Sequence, residues 1–152
     1  MNSVPASALD QAMEKPAPLV AHIIYKLDVG GLENGLINLI NRSRGRHLRH
    51  AIICVTGATE FRKRLDGGDV RIEEIGKRPG KDPGHYRRVW RILRSLRPQI
   101  LHTRNLATLE YQWLGWLAGI PVRIHGEHGW DAADLAAQRP RGRLLRRATG
   151  HI

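Results

Sequence analysis

The side chains that could do chemistry fall in three short stretches. The first is Val29-Gly30-Gly31-Leu32-Glu33. Two glycines let the backbone turn sharply and approach a ligand closely, and an acid in the first helical turn suits the positive end of a helix dipole. A glycine turn that opens a helix after a strand is a natural anion site, because its free N–H groups point outward. The same residues also suit a plain tight strand-to-helix turn, with Glu33 serving only its own helix. The second stretch is Arg104-Asn105, just beyond an apolar strand. The third is His125-Gly126-Glu127-His128-Gly129-Trp130-Asp131. In it His128 reads either as a polar active-site histidine or as a loop histidine with a local hydrogen bond. Trp130, in a polar loop, could stack on a sugar ring or a lipid carrier. His125, Glu127, His128 and Asp131 are metal-ligand types, but they lack the helical His-Glu-x-x-His spacing and any cysteine cluster, so no metal is expected.

Strands alternating with helices must position these residues. His22 to Tyr25, extended by Leu27, form an apolar run like a strand covered on both faces. From Leu32 the apolar residues Leu36, Leu39 and Ile40 follow helical spacing. Ala51 to Val55 and Val70 to Ile75 read as further strands, with a short helix over Phe61 to Leu65 between them. The glycines and prolines of residues 76–84 mark a loop. His85 to Arg97 is an amphipathic helix, with Tyr86, Val89, Trp90, Leu93 and Leu96 on one side and Arg87, Arg91 and Arg94 opposite. Gln99 to Thr103 is a fourth strand, containing His102 as a core histidine. Leu106 to Ala118 is a helix offering Leu109, Trp113, Trp116 and Leu117 for burial, with Gly119 at its C-cap. Pro121 to His125 begins a fifth strand. Residues 132–147 suggest a basic helix interrupted near Pro140, and Thr149 to Ile152 the entry to a sixth strand. Trp90, Trp113 and Trp116 are expected in the core.

This order predicts an α/β class: a doubly wound, Rossmann-like parallel sheet with helices on both faces. Ligands in such sheets collect beyond the C-terminal strand ends, where the three polar stretches converge. Residues 1–18, rich in small residues and proline, read as a disordered leader, and residues 19–152 as one domain that looks cut at its C-terminus.

With 25 Lys and Arg against 14 Asp and Glu, the chain carries a formal charge of +11. That excess favours nucleic acid, acidic lipid or phosphorylated substrates as partners. No helix-turn-helix, zinc-finger or RNA-binding signature accompanies it, so no nucleic-acid partner is expected. Arginines at 87, 88, 91, 94 and 97, and at 139, 141, 143, 146 and 147, form two clusters that suit an anionic membrane surface as well as plain solvated helix faces. The single cysteine, Cys54, lies in an apolar run; it excludes an intrachain disulfide and fits a reducing cytoplasm. Neither a signal peptide nor a run of about 20 apolar residues is present.

The pieces VGGLENGLINLIN, RPQILHTRN and GEHGWD, in this order and spacing, resemble the N-terminal domain of a GT-B glycosyltransferase of the retaining family four. The likeness is nearest to the sugar transferases of PEP-CTERM/exosortase exopolysaccharide loci and covers roughly residues 18–152. It implies a two-domain enzyme in which this half binds the acceptor. The other half, holding the nucleotide-sugar, is missing from this sequence. By position, Gly30 and Gly31 would approach the acceptor or the donor phosphates, His128 would lie near the transferred sugar as the catalytic histidine, and Asn105 and Arg104 would line the acceptor side. The resemblance implies no cofactor and no metal, a lipid-linked or glycan acceptor, and a cytoplasmic place, peripheral at the inner membrane face. Without the donor half, the chain alone is expected to be inactive, because departure of a nucleotide diphosphate needs positive charge placed around it. The alternative is a non-catalytic module that binds anions or acidic lipid.

Overall fold

Six consecutive buried residues, Leu19 to Ile24, begin strand β1 (Leu19–Leu27), and only a central strand can bury such a run. It pairs in parallel with β2 (Arg49–Ala58) on one edge and with β4 (Ile100–Arg104) on the other. β3 (Arg71–Glu74) and β5 (Val122–Gly126) complete a parallel sheet of order β3-β2-β1-β4-β5. The structure, a computed structural model, describes residues 16–43, 47–127 and 147. The expected basic helix over 132–147, the sixth strand and all but the last residues of the leader lie outside the described residues.

Alternation along the strands divides the core in two. Ile24, Ile52 and Cys54 face Leu36, Ile37 and Ile40 of α1 (Gly31–Ser43). Ala21, Ile23, Ile53, Val55 and Leu101 face the other way. They meet Val89 and Leu93 of α2 (Gly84–Leu96), and Tyr111 of α4 (Tyr111–Leu117). Each fully buried Ile or Leu contributes about 2 kcal/mol, so both helical layers are held by the same strands.

The elements follow the expected order with local differences. The short helix before β3 is a 3-10 turn, Glu60–Arg64, capped where the Thr59 hydroxyl accepts from the Phe61 N–H at 3.3 Å. The helix expected over 106–118 is two pieces, α3 (Leu106–Leu109) and α4, divided at Glu110. Its buried side also differs. Tyr111, Gln112 and Gly115 turn inward, whereas Trp113 and Trp116 are 37% and 51% exposed and Leu117 is 59% exposed. Trp90, on α2, is 39% exposed. The expectation that these tryptophans lie in the core is therefore corrected. A Cβ on Gly115 would run into the Leu101 side chain, so the missing side chain lets α4 approach the sheet on its small-residue side and sends the indoles outward.

A chain of buried polar groups ties β1, β2 and α1 together. The Ser43 hydroxyl donates to the Leu39 carbonyl at 2.7 Å, so its oxygen accepts from Nε2 of His50 at 2.8 Å. That assigns the His50 proton to Nε2 and leaves Nδ1 to accept from Nε2 of His22 at 3.1 Å. Nδ1 of His22 is then a bare, buried nitrogen without a hydrogen-bond partner. A proton added there would find no acceptor, beside the tilted ring of His102 and in the field of Arg104. Burial first, and then His102, Arg104 and His50, hold His22 well below the ordinary value of 6.5. Burial lowers His50 as well.

A histidine whose folded value is depressed is neutral in the native state while the unfolded chain takes up protons. The stability it contributes is present above about pH 6.5 and is lost as pH falls through the lowered native value. Urea unfolding between pH 7.5 and 5 should show this loss, and His22→Phe should flatten the dependence. An unchanged slope in His22→Phe would show that other groups carry it.

Candidate functional site

β1 and β4 are neighbours, yet the chain leaves them in opposite directions. From β1 it passes through α1 to β2, and from β4 through α3 and α4 to β5. Beyond their C-terminal ends a crevice opens where the strand order reverses, the usual ligand position in such sheets. Gly30 and Gly31 form one lip and Arg104 and Asn105 the other.

The first lip is braced from below. β1 and β2 slip register between Ile24 and Lys26, so one extra β2 residue bulges beside Tyr25. The Thr56 hydroxyl donates to the Tyr25 carbonyl at 2.9 Å, and the Thr59 hydroxyl reaches Asp28 at 3.2 Å. Asp28 also accepts from the Val29 N–H at 2.9 Å and pairs with Lys26. The Lys26 hydrogen bond, then the Val29 N–H, holds the Asp28 carboxyl below the usual range. This fixes the loop and leaves Val29 83% exposed at its tip. The Asn34 N–H then bonds the Gly30 carbonyl at 2.9 Å to begin α1. A Cβ on Gly30 would collide with the Glu33 carboxylate, which folds back over the loop. Glu33 thus lies where an incoming anion would meet the first turn of α1.

The second lip is built differently for each residue. Arg104 ends β4 and is buried. Its guanidinium bears on His22, and burial lowers it from the usual arginine value. Its backbone is held twice by Thr108, whose hydroxyl accepts from the Arg104 N–H at 2.8 Å and donates to its carbonyl at 2.7 Å. Asn105 is exposed and has φ 64 and ψ 160, a region that glycine occupies readily and other residues reach at a cost of about 1–3 kcal/mol. The Asn105 N–H bonds the Gly126 carbonyl at 2.9 Å, which holds the strained turn against the end of β5.

Polar residues that the motifs did not single out support this rim. Gln112 donates from Nε2 to the Thr103 hydroxyl at 2.6 Å and to the Ile124 carbonyl at 2.8 Å. With one lone pair so used, Thr103 is placed to donate to Nδ1 of His125 at 2.8 Å, which puts the ring proton on Nε2, 3.7 Å from Glu127. A glutamine on the inward side of an otherwise apolar helix was the available signal, since a buried amide requires partners. Across the rim, Nε2 of His85 lies 3.9 Å from Glu110. Burial first, then the hydrogen bond to Glu110, raises the Tyr86 phenol to about 12. Cys54 is buried and raised by that burial to about 12, so its thiol is no nucleophile at neutral pH.

Gly30, Gly31, Glu33, Arg104 and Asn105 therefore gather at the ends of two adjacent strands. His128 and Trp130 lie outside the described residues. The metal reading also depends on His128 and Asp131; among the described residues no three His, Cys, Asp or Glu side chains form a group that could hold a metal ion.

The strained turn gives a direct test. Asn105→Gly and Asn105→Ala both remove the carboxamide, but only glycine relieves φ. Asn105→Gly should be more stable than Asn105→Ala by about 1–2 kcal/mol in denaturant titration. Equal stabilities would show that the turn stores no strain.

A comparison with curated proteins finds no match. The family model described as Glycosyltransferase Family 4 matches residues 29–152, from the tip of the glycine loop to the last residue. Together with a five-stranded parallel sheet consistent with the N-terminal half of a GT-B glycosyltransferase, that match shows that the chain belongs to Glycosyltransferase Family 4.

Proposed function

We propose that this domain is the acceptor-binding half of a sugar transferase that moves a hexosyl unit from a nucleotide-sugar to a lipid-linked glycan in exopolysaccharide assembly. The observation that carries the reading is the crevice between β1 and β4, with the glycine loop on one lip and Asn105 on the other, in a chain of this family. The acceptor sugar would lie along that crevice. Asn105 would offer its carboxamide to sugar hydroxyls, and the Gly30-Gly31 backbone would allow close approach. His128 is assigned the catalytic place beside the transferred sugar, and Trp130 a stacking role, both from their positions in the GEHGWD motif.

The donor would be held by a second Rossmann-like half, where positive charge offsets that of the departing nucleotide diphosphate. By this reading the 152-residue chain does not transfer sugar by itself and needs neither cofactor nor metal. A lipid-linked acceptor places the work at the cytoplasmic membrane face. The likeness to exosortase-associated transferases supports the exopolysaccharide setting. The +11 charge favours one second reading, a non-catalytic module that docks phosphates or acidic lipid.

Saturation-transfer NMR on the 152-residue chain separates the two. With a panel of pyrophosphate-linked sugars, signal should concentrate on particular sugar protons, survive added salt, and weaken at least tenfold in Asn105→Ala. A nucleotide-sugar should bind much more weakly. Binding that ignores the sugar and falls steeply with salt for every anion would overturn the acceptor reading in favour of the anion module.

A further inference from the structure

The N-termini of α2 and α4 lie at the crevice end of the sheet, because helices in a parallel sheet return against the strands. There three elements bring together side chains that the two lips do not include. Tyr25 stands on β1 two residues beyond Ile23, on the α2–α4 side of the sheet, and is 51% exposed. It bears electrostatically on Tyr111 of α4. The Tyr111 ring in turn meets those of Tyr86 at 5.9 Å and His85 at 5.7 Å between centroids. Glu110 precedes α4 and follows the single turn of α3, so it stands about one helical turn from Asn105.

Glu110 is held in place without a lysine or arginine. Nε2 of His85, buried and without a hydrogen bond, lies 3.9 Å from its carboxylate, and the Tyr86 phenol bonds the same group. Asp28, Glu74 and Asp82, by contrast, are each paired with a lysine or arginine. The Glu110 side chain keeps 38% of its exposure. A carboxylate with acceptor capacity to spare thus opens beside an exposed tyrosine ring.

We infer that Glu110 and Tyr25 set the specificity of the acceptor site and select an uncharged sugar, with Tyr25 under its C–H face and Glu110 accepting from its hydroxyls. The inference rests on the acceptor reading of the crevice and names the kind of sugar it takes. A sugar ring is apolar across its C–H face and rimmed by hydroxyl donors. An aromatic ring covers the first, and hydrogen bonds from the second to an ionised acceptor are the strong ones. A uronic acid would bring its own carboxylate against Glu110, and the two charges repel. The field of a chain with a formal charge of +11 favours the acid, so its rejection must come from a carboxylate at the site itself. A role confined to the helix dipole of α4 would need no exposed ring beside Glu110.

The test is saturation-transfer NMR on the 152-residue chain, with the methyl glycosides of glucose, galactose and mannose and their matching methyl uronosides as probes. One of the neutral glycosides should bind about tenfold more tightly than its uronoside, as repulsion between two nearby carboxylates requires. Its signal should be strongest on the C–H protons of one ring face. Glu110→Gln should weaken that glycoside about tenfold, for the loss of one hydrogen bond to a charged group, and should erase the preference over the uronoside. A merely structural loss would weaken both probes alike. Tyr25→Ala should weaken the glycoside, and Tyr25→Phe should bind it like the native chain. A native preference for the uronoside, a preference unchanged in Glu110→Gln, or equal weakening of both probes would each overturn the inference. If Glu110→Gln unfolds by circular dichroism, unchanged binding in Tyr25→Ala overturns it instead. Sugars that bind and weaken in Asn105→Ala but ignore both variants strike this inference alone. A chain that binds none of the sugars strikes the acceptor reading, and this inference with it.

Discussion

The structure depends on β1 being closed on all sides. Its backbone is paired along both edges, by β2 and by β4, and its side chains are covered on both faces by helices. A strand so enclosed cannot slip, because a one-residue shift would exchange the Ile24 side of the core for the Ile23 side. It can open only at its C-terminal end, and there the register slip against β2 and the exposed Tyr25 and Lys26 release it into the glycine loop. The crevice lies where this enclosure ends.

Polar groups that the enclosure traps are joined in relays, with only Nδ1 of His22 left over at the end of the first. Ser43 fixes the tautomer of His50, which fixes that of His22. Gln112 holds Thr103, which orients His125. The first relay runs beneath the α1 side of the sheet and the second beneath the α4 side, so each helical layer is bonded to the strands as well as packed on them. Buried amides and imidazoles cost several kcal/mol when unpaired, and that cost gives each relay one hydrogen-bonding arrangement. The strained Asn105 turn sits between them, its N–H held by Gly126 and its backbone followed by the Thr108 bonds.

The helical surface obeys another rule. A glycine at 115 brings α4 down onto Leu101 and Arg123, and this choice of contact side turns two indoles and a leucine outward. Together with Trp90 and the arginines of α2 they make a surface that differs in kind from an ordinary solvated helix face. Trp116 and Leu117 end α4, at the N-terminal edge of the strands and away from the crevice rim, because helices in a parallel sheet return against the strands.

The sequence by itself determined the order of elements, the parallel sheet and the family, since apolar runs, helical spacing and glycine punctuation are local properties. It also placed Gly30, Gly31, Glu33, Arg104 and Asn105 near strand ends, because strand ends are visible where an apolar run stops. It did not determine which side of the second helix is buried. Spacing favoured Trp113 and Trp116, but burial follows the closest fit between surfaces, and Gly115 allows a closer approach than an indole does. Nor did it reveal that Glu33 folds over Gly30, that Arg104 is buried against His22, or that Asn105 carries a positive φ. Those facts depend on residues up to about 80 positions apart meeting across the sheet, and only the tertiary structure decides such meetings.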